Sequence, residues 1–219
     1  MIATVYATKS STKTSIAVSI AVHLANKGND VLLADLDTQA SASSWLDFRS
    51  EDDSLQQIPC IQKYGKTVSK NLKELDSKYE VVVADCGGKN DTSGRSALLV
   101  SDIVIIPIIP SSLSLLTLEA SLNACFDAKL HNEKLKVFIV LSGCSSHHLV
   151  KDTNESKEFV KEALLEYDEE NITLLESTIT ARKIWMDIVA EGKGITESCH
   201  KKSISEFESL MGEVFHGDH

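Results

Sequence analysis

Short β-branched apolar runs alternate with longer helix-like stretches along the whole chain. Ile2 to Ala7 reads as a first strand. Thr14 to Lys27 reads as a helix with Ile16, Ile20, Ala21 and Leu24 on one face, closed by Gly28 and Asn29 as a C-terminal cap. Val31 to Asp35 is a second strand and Ala40 to Phe48 a short helix. The polar, acidic span Arg49 to Tyr64 holds at most a short strand at Ile58 to Ile61. Val68 to Leu75 is helical, Tyr79 to Asp85 a strand, Ser96 to Val100 a helical turn and Ile103 to Pro107 a strand. A long helix, Leu113 to Leu130, precedes a strand at Lys136 to Leu141. An amphipathic stretch at Glu155 to Tyr167, a short strand at Ile172 to Leu175 and two helices complete the order. Runs such as Val81-Val82-Val83-Ala84-Asp85 are apolar at successive positions, as in strands covered on both faces. The periodicity therefore predicts an α/β domain with a mostly parallel sheet and helices on each side.

Composition narrows the setting. A chain of 219 residues with 42% apolar and 25% charged residues can bury one core, and no internal repeat or linker divides it. The expectation is one domain over residues 1–219. Pro107 interrupts the longest apolar run, Ile103 to Ile109, so no bilayer span is predicted. The N-terminus does not read as a secretion signal, which makes the cytoplasm the expected compartment. Cys60, Cys86, Cys125, Cys144 and Cys199 are scattered, without metal-ligand spacing, and read mostly as reduced core or near-core residues. A net charge of -10 means that any DNA contact needs a local basic patch against an unfavourable overall field.

Chemistry concentrates after the first strand, in Thr8-Lys9-Ser10-Ser11-Thr12-Lys13-Thr14-Ser15, which runs directly into a helix. Ligands of open parallel sheets sit beyond the carboxyl ends of strands. A lysine and a hydroxyl at a helix start can face phosphate and magnesium there. A phosphate loop ordinarily uses glycines to curl closely around its anion, and none occurs here. The plain alternative is a lysine-containing loop in which Thr8 or Ser10 and Ser11 cap the helix.

Three further segments follow in order: Leu33-Ala34-Asp35-Leu36-Asp37-Thr38-Gln39, then Val83-Ala84-Asp85-Cys86-Gly87-Gly88, then Val100-Ser101-Asp102-Ile103-Val104-Ile105-Ile106-Pro107-Ile108-Ile109-Pro110-Ser111. With these the chain resembles the ParA/MinD group of deviant Walker-type ATPases, especially the small plasmid-partition ParA proteins of the CbiA/ParA nucleotide-binding class. Thr178-Ile179-Thr180-Ala181-Arg182 adds a weaker likeness. The family loop is similar to K-G-G-x-G-K-T-T; here it is one residue shorter and glycine-free.

The resemblance implies a three-layer P-loop NTPase-like fold with about seven strands, binding ATP and Mg²⁺ and hydrolysing ATP. Lys9 would reach the phosphates of a dimer partner. Lys13 would hold the β- and γ-phosphates, with Ser10, Ser11, Thr12, Thr14 and Ser15 around them and Pro110 and Ser111 near the nucleotide. Thr14 would ligate Mg²⁺, Asp35 and Asp85 would lie in its outer shell, and Asp37 would position water. For Asp35 and Asp37 the plain alternative is that both cap the next helix and face water. The implied partners are a second copy of the chain in a nucleotide-dependent homodimer and a ParB-like adaptor. DNA would be bound non-specifically through a C-terminal basic surface at Arg182, Lys183, Lys201 and Lys202, making the protein nucleoid-associated; no membrane is implied.

Rival readings are a non-catalytic relative that keeps the fold and regulates a true partition ATPase, and an amidotransferase-like ligase, for which the chain is short. Lys63, Lys66, Lys70 and Lys73 form either a solvated helix face or a basic stripe. Cys144, His147 and His148 are a loop with metal-binding residue types but no further ligand spacing.

Overall fold

A computed structural model describes residues 1–9, 12–88, 92–145, 149–165, 167 and 171–217. Its strands are β1 (Ile2–Val5), β2 (Val31–Asp35), β3 (Cys60–Gln62), β4 (Val81–Asp85), β5 (Ile103–Ile108), β6 (Lys136–Cys144) and β7 (Ile172–Thr180). They form one seven-stranded sheet in the order β3-β2-β4-β1-β5-β6-β7, and every pairing is parallel. The helices are α1 (Lys13–Asn26), α2 (Ser41–Ser50), α3 (Val68–Asp76), α4 (Thr92–Leu98), α5 (Ser112–Lys129), α6 (Leu149–Leu164), α7 (Ile184–Ala190) and α8 (Lys201–His216). This is the expected α/β P-loop NTPase-like architecture.

The unbroken apolar runs serve two cores at once. Val5, Val83, Ile105 and Val140 face α1, α2, α7 and α8, where Ile16, Ile20, Trp45, Ile188 and Phe207 are buried. Tyr6, Val82, Ile106 and Ile139 face the other layer, packed by Leu72, Leu98, Leu122 and Val160. Successive strand residues point to opposite faces, so covering both faces removes the polar alternation that a one-sided sheet would show. Among the described residues, no helix is long and apolar enough to cross a membrane.

Two expectations need correction. The helix after the first loop is buried almost all round, including Ala17, Val18 and Val22, and not along one face only. The C-terminal helices close over it: His23 stands edge-on to Phe207, and Ser19 Oγ accepts the Ile195 N–H at 3.0 Å. The last strand also runs on to Thr180, well beyond Leu175. At the sheet edge its Glu176 is exposed and its Ser177 and Thr178 half-buried, so the apolar signal fades while the backbone pairing continues. The cysteine reading holds for Cys86, Cys125 and Cys144, which are buried thiols, whereas Cys199 is exposed.

One latch joins the two ends of the chain. The buried Arg49 guanidinium forks onto Glu197 with both bonds at 2.9 Å, donates to the Gly192 carbonyl at 2.9 Å and lies over Trp45. Trp45 Nε1 donates to the Lys193 carbonyl at 3.0 Å. Gly192 has φ +65, and a Cβ there would overlap the Arg49 backbone. Gly28, which ends α1, has φ +93 with nothing within 4 Å of its would-be Cβ. Gly28→Ala should therefore lose only the backbone term, about 1 kcal/mol. Gly192→Ala, which adds a backbone clash, should lose about 3 kcal/mol or more. Urea unfolding of both variants measures the difference, and equal losses would refute the latch.

Candidate functional site

The sheet register brings three strand ends level. Val5 and Asp35 both pair with Asp85, which puts the ends of β1, β2 and β4 at one edge, under the start of α1. Asp85 is fully buried, and Thr14 Oγ1 donates to its Oδ2 at 2.7 Å. Asp85 Oδ1 is buried with no hydrogen-bond donor among the described residues. Burial pushes the Asp85 carboxyl up to about 7; the Thr14 hydrogen bond and Lys13 pull it down, and Asp35 and Asp37 add to the rise. Lys13 is buried in the same place. Desolvation lowers its ammonium from the ordinary lysine value, opposed by the charges of Asp85 and Asp37.

Asp35 takes a different part from its neighbour. It is buried, its Oδ2 accepting from Ser43 N–H at 2.8 Å and Ser43 Oγ at 2.7 Å, and its Oδ1 from Asp37 N–H at 3.2 Å. It thus satisfies N–H groups at the start of α2, as the plain reading held, but away from water. Half-buried Asp37 accepts the Gln39 N–H at 3.0 Å and stays close enough to act on Lys13. Ala40 closes this turn at φ 54, a left-handed conformation that alanine adopts only under strain.

Thr8 does not cap α1. Its N–H donates to Ser121 Oγ at 3.1 Å and its Oγ1 to the Thr117 carbonyl at 2.9 Å, tying the loop's entry to α5. A Cβ on Gly88 would stand 3.1 Å from the Thr8 carbonyl and 3.7 Å from Lys13 Nζ, so Gly88 lets the loop after β4 close over the lysine. Thr12 sits at the N-cap without a side-chain cap bond and accepts from Ser142 Oγ at 2.9 Å. Ser15 Oγ donates to the Trp185 carbonyl at 2.6 Å. Lys9 is exposed, while Ser10 and Ser11 lie outside the described residues. Pro110 and Ser111 follow β5 at the same sheet edge, half-buried and exposed respectively. The structure thus gathers Lys13, Thr14, Asp35, Asp37 and Asp85.

Beside the loop opens a cavity of about 380 Å³, lined among others by Thr12, Ser15, Gly143, Thr180, Arg182 and Trp185. Trp185 Nε1 is buried without an acceptor among the described residues. Sequence reading missed Ser43, Ser121 and the place of Trp185 beside this cavity; the only sequence signal was the proximity of Trp185 to the Thr178–Arg182 segment.

Elsewhere, Arg182 forks onto Glu206 at 2.6 and 2.8 Å, and Lys183 lies 3.3 Å from Asp187. Lys201 and Lys202 are exposed at the start of α8. Much of the expected C-terminal basic surface is therefore answered by acids. His147 and His148 lie outside the described residues; among those described, no three His, Cys, Asp or Glu side chains gather as metal ligands.

A parallel sheet with a lysine-threonine helix start over a buried carboxylate defines a nucleotide-binding domain. The chain belongs to the CobQ/CobB/MinD/ParA nucleotide binding domain family, whose model matches residues 2–194. It is similar to "Maintenance of carboxysome distribution protein A" of Halothiobacillus neapolitanus, 23% identical over 187 residues, which are 84% of this chain and 82% of that protein. In fold it matches a Borrelia burgdorferi B31 protein described as a plasmid partition protein and bound to AMPPNP, with TM-score 0.69 and 23% identity over 99% of this chain and 98% of that one. It also matches a variant of Cyanothece McdA complexed with ATP, with TM-score 0.74 and 13% identity over 96% and 94% of the two chains.

Burial lifts Asp85 from 3.8 in the free side chain to about 7. Its contribution to stability is therefore fully present below pH 4 and is lost as pH rises to 7. In nucleotide-free, metal-free buffer, the stability of Asp85→Asn relative to the unsubstituted protein should grow by about 2 kcal/mol from pH 5 to pH 8. Parallel urea titrations at the two pH values check this; a pH-independent difference contradicts the assignment.

Proposed function

We propose that this chain is a nucleotide-operated positioning switch, in which ATP with Mg²⁺ pairs two copies face to face and hydrolysis releases them. The observation that carries this reading is the Asp85 carboxylate, buried with one oxygen unanswered, beside Thr14 and Lys13 at the start of α1. The fit to magnesium is chemical. Because the Thr14 hydroxyl donates its hydrogen bond to Asp85, its oxygen lone pairs remain available to a cation, and Asp85 and Asp35 supply negative charge behind it. When bound, Mg²⁺ shields the charge of the phosphate oxygens. Lys13 holds the anionic group at the first turn of α1, where the helix N-terminus favours negative charge. Asp37, on its strained turn, orients the attacking water. Exposed Lys9 serves the partner subunit's phosphates.

The cargo in this reading is a plasmid or another mobile DNA element, reached through a ParB-like adaptor, in the cytoplasm on nucleoid DNA. Lys201 and Lys202 are the cations best exposed for that DNA contact. The carboxysome relative and the plasmid-partition neighbour support positioning of a large cargo as the shared theme. A second reading is a non-catalytic regulator that pairs with an active relative, favoured by the absence of glycine between Thr8 and Ser15.

Titration calorimetry of ATP with Mg²⁺ should show saturable binding, weakened about tenfold or more in Lys13→Ala. Sedimentation should show ATP-dependent dimers that Lys13→Ala abolishes. No binding at about 1 mM ATP eliminates the switch and leaves the regulator.

A further inference from the structure

Two adjoining grooves open on the sheet face that carries α3, α4 and α5, with volumes of about 380 and 890 Å³. They share Leu99 and His131, so they form one continuous trough. None of their described lining residues belongs to the nucleotide site. The floor is apolar: Leu99 is 38% exposed, and Ala124 and Ala128 of α5 lie beneath it. The rim is cationic, with Lys66 before α3, Lys70 and Lys73 on it, and Arg95 across on α4. Lys66, Lys70 and Lys73 of the lysine stripe are exposed, as a solvated face requires, and they also border the trough.

Two acids share the rim. Glu74 lies 3.9 Å from Lys70 and Asp127 3.7 Å from Arg95, all four side chains about half exposed or more. Pairs at such distances in water are worth little, so an incoming carboxylate can displace them at small cost. Lys66 and Lys73 make no ion pair among the described residues. In a chain of net charge -10, this concentration of cations around an exposed leucine is a local reversal of sign.

We infer that this trough docks an acidic segment of a partner protein, one that sets an apolar side chain on Leu99 between carboxylates on the lysines and Arg95. Charge and shape select this occupant. Duplex DNA presents a row of phosphates and no apolar group for the floor. Its many phosphates would also feel the repulsion of the whole chain more strongly than a few peptide carboxylates do. A short acidic peptide takes up the cations locally and buries the leucine as well. Docking here is independent of the nucleotide reading, because Lys13 and its neighbours take no part.

The test is fluorescence anisotropy with a labelled peptide of about twelve residues, Glu and Leu in an amphipathic order. Amide shift perturbation locates its site. Saturable binding is expected, with shifts at Leu99, Ala128 and His131. Lys70→Glu with Lys73→Glu should weaken it at least tenfold, and Leu99→Ser, with charges intact, should weaken it separately. Lys13→Ala should bind the peptide normally, which separates failure of this surface from failure of the nucleotide site. No binding at about 1 mM peptide overturns the proposal. So do equal binding by the charge-reversed variant, shifts elsewhere, displacement of the peptide by duplex DNA, or a self-association that the variants abolish.

Discussion

The burial of a carboxylate at the end of a central strand is the constraint around which the site is arranged. Asp85 can occupy that position because Thr14 donates to it and Lys13 stands nearby, and both are held there by α1. Ionised and without a second donor, it is costly in the empty protein, since a buried charge is tolerated only when answered. A cation beside Thr14 would answer it. In the proposed reading the destabilising group would also be the one that favours binding, as at many functional sites.

The surrounding structure holds that arrangement from several sides. Ser121 and Thr117 of α5 tie down Thr8 at the loop's entry. Asp35 anchors α2 through Ser43, which limits how far the Asp37 turn can move. At the other end of α2, Arg49 and Trp45 fasten to Gly192, Lys193 and Glu197. The C-terminal third therefore does more than cover the core, because it fixes the position of the Asp37 segment. A loop without glycine has a narrower choice of backbone conformations, and the tether on Thr8 narrows that choice further at its entry.

One edge and one face of the sheet carry separate chemistry. The edge at the ends of β1, β2 and β4 concentrates acids around a lysine, while the trough among α3, α4 and α5 concentrates cations around a leucine. The proposed switch would draw on such a division, because a surface for a partner would then not compete with one for phosphate. Both belong to one sheet, and β4 joins them: its end carries Asp85, and the segment after it leads into α4.

The order of strands and helices was legible in the sequence because strands covered on both faces write continuous β-branched runs. The motif residues could be named from their order as well: Lys13, Thr14, Asp35, Asp37 and Asp85 do converge. What the sequence determined is the class of fold and the chemical types at its ligand edge, since both follow from local periodicity and residue identity. The tertiary structure decided the rest. The division of labour between Asp35, spent on Ser43, and Asp85, left with an open oxygen, depends on packing across the sheet. So do the tethering of Thr8 to Ser121, the joining of Arg49 to Glu197, and the meeting of the α3 lysines with Leu99 and His131. These contacts link residues far apart in the chain, and no local pattern of hydrophobicity or charge records which distant groups will share a pocket.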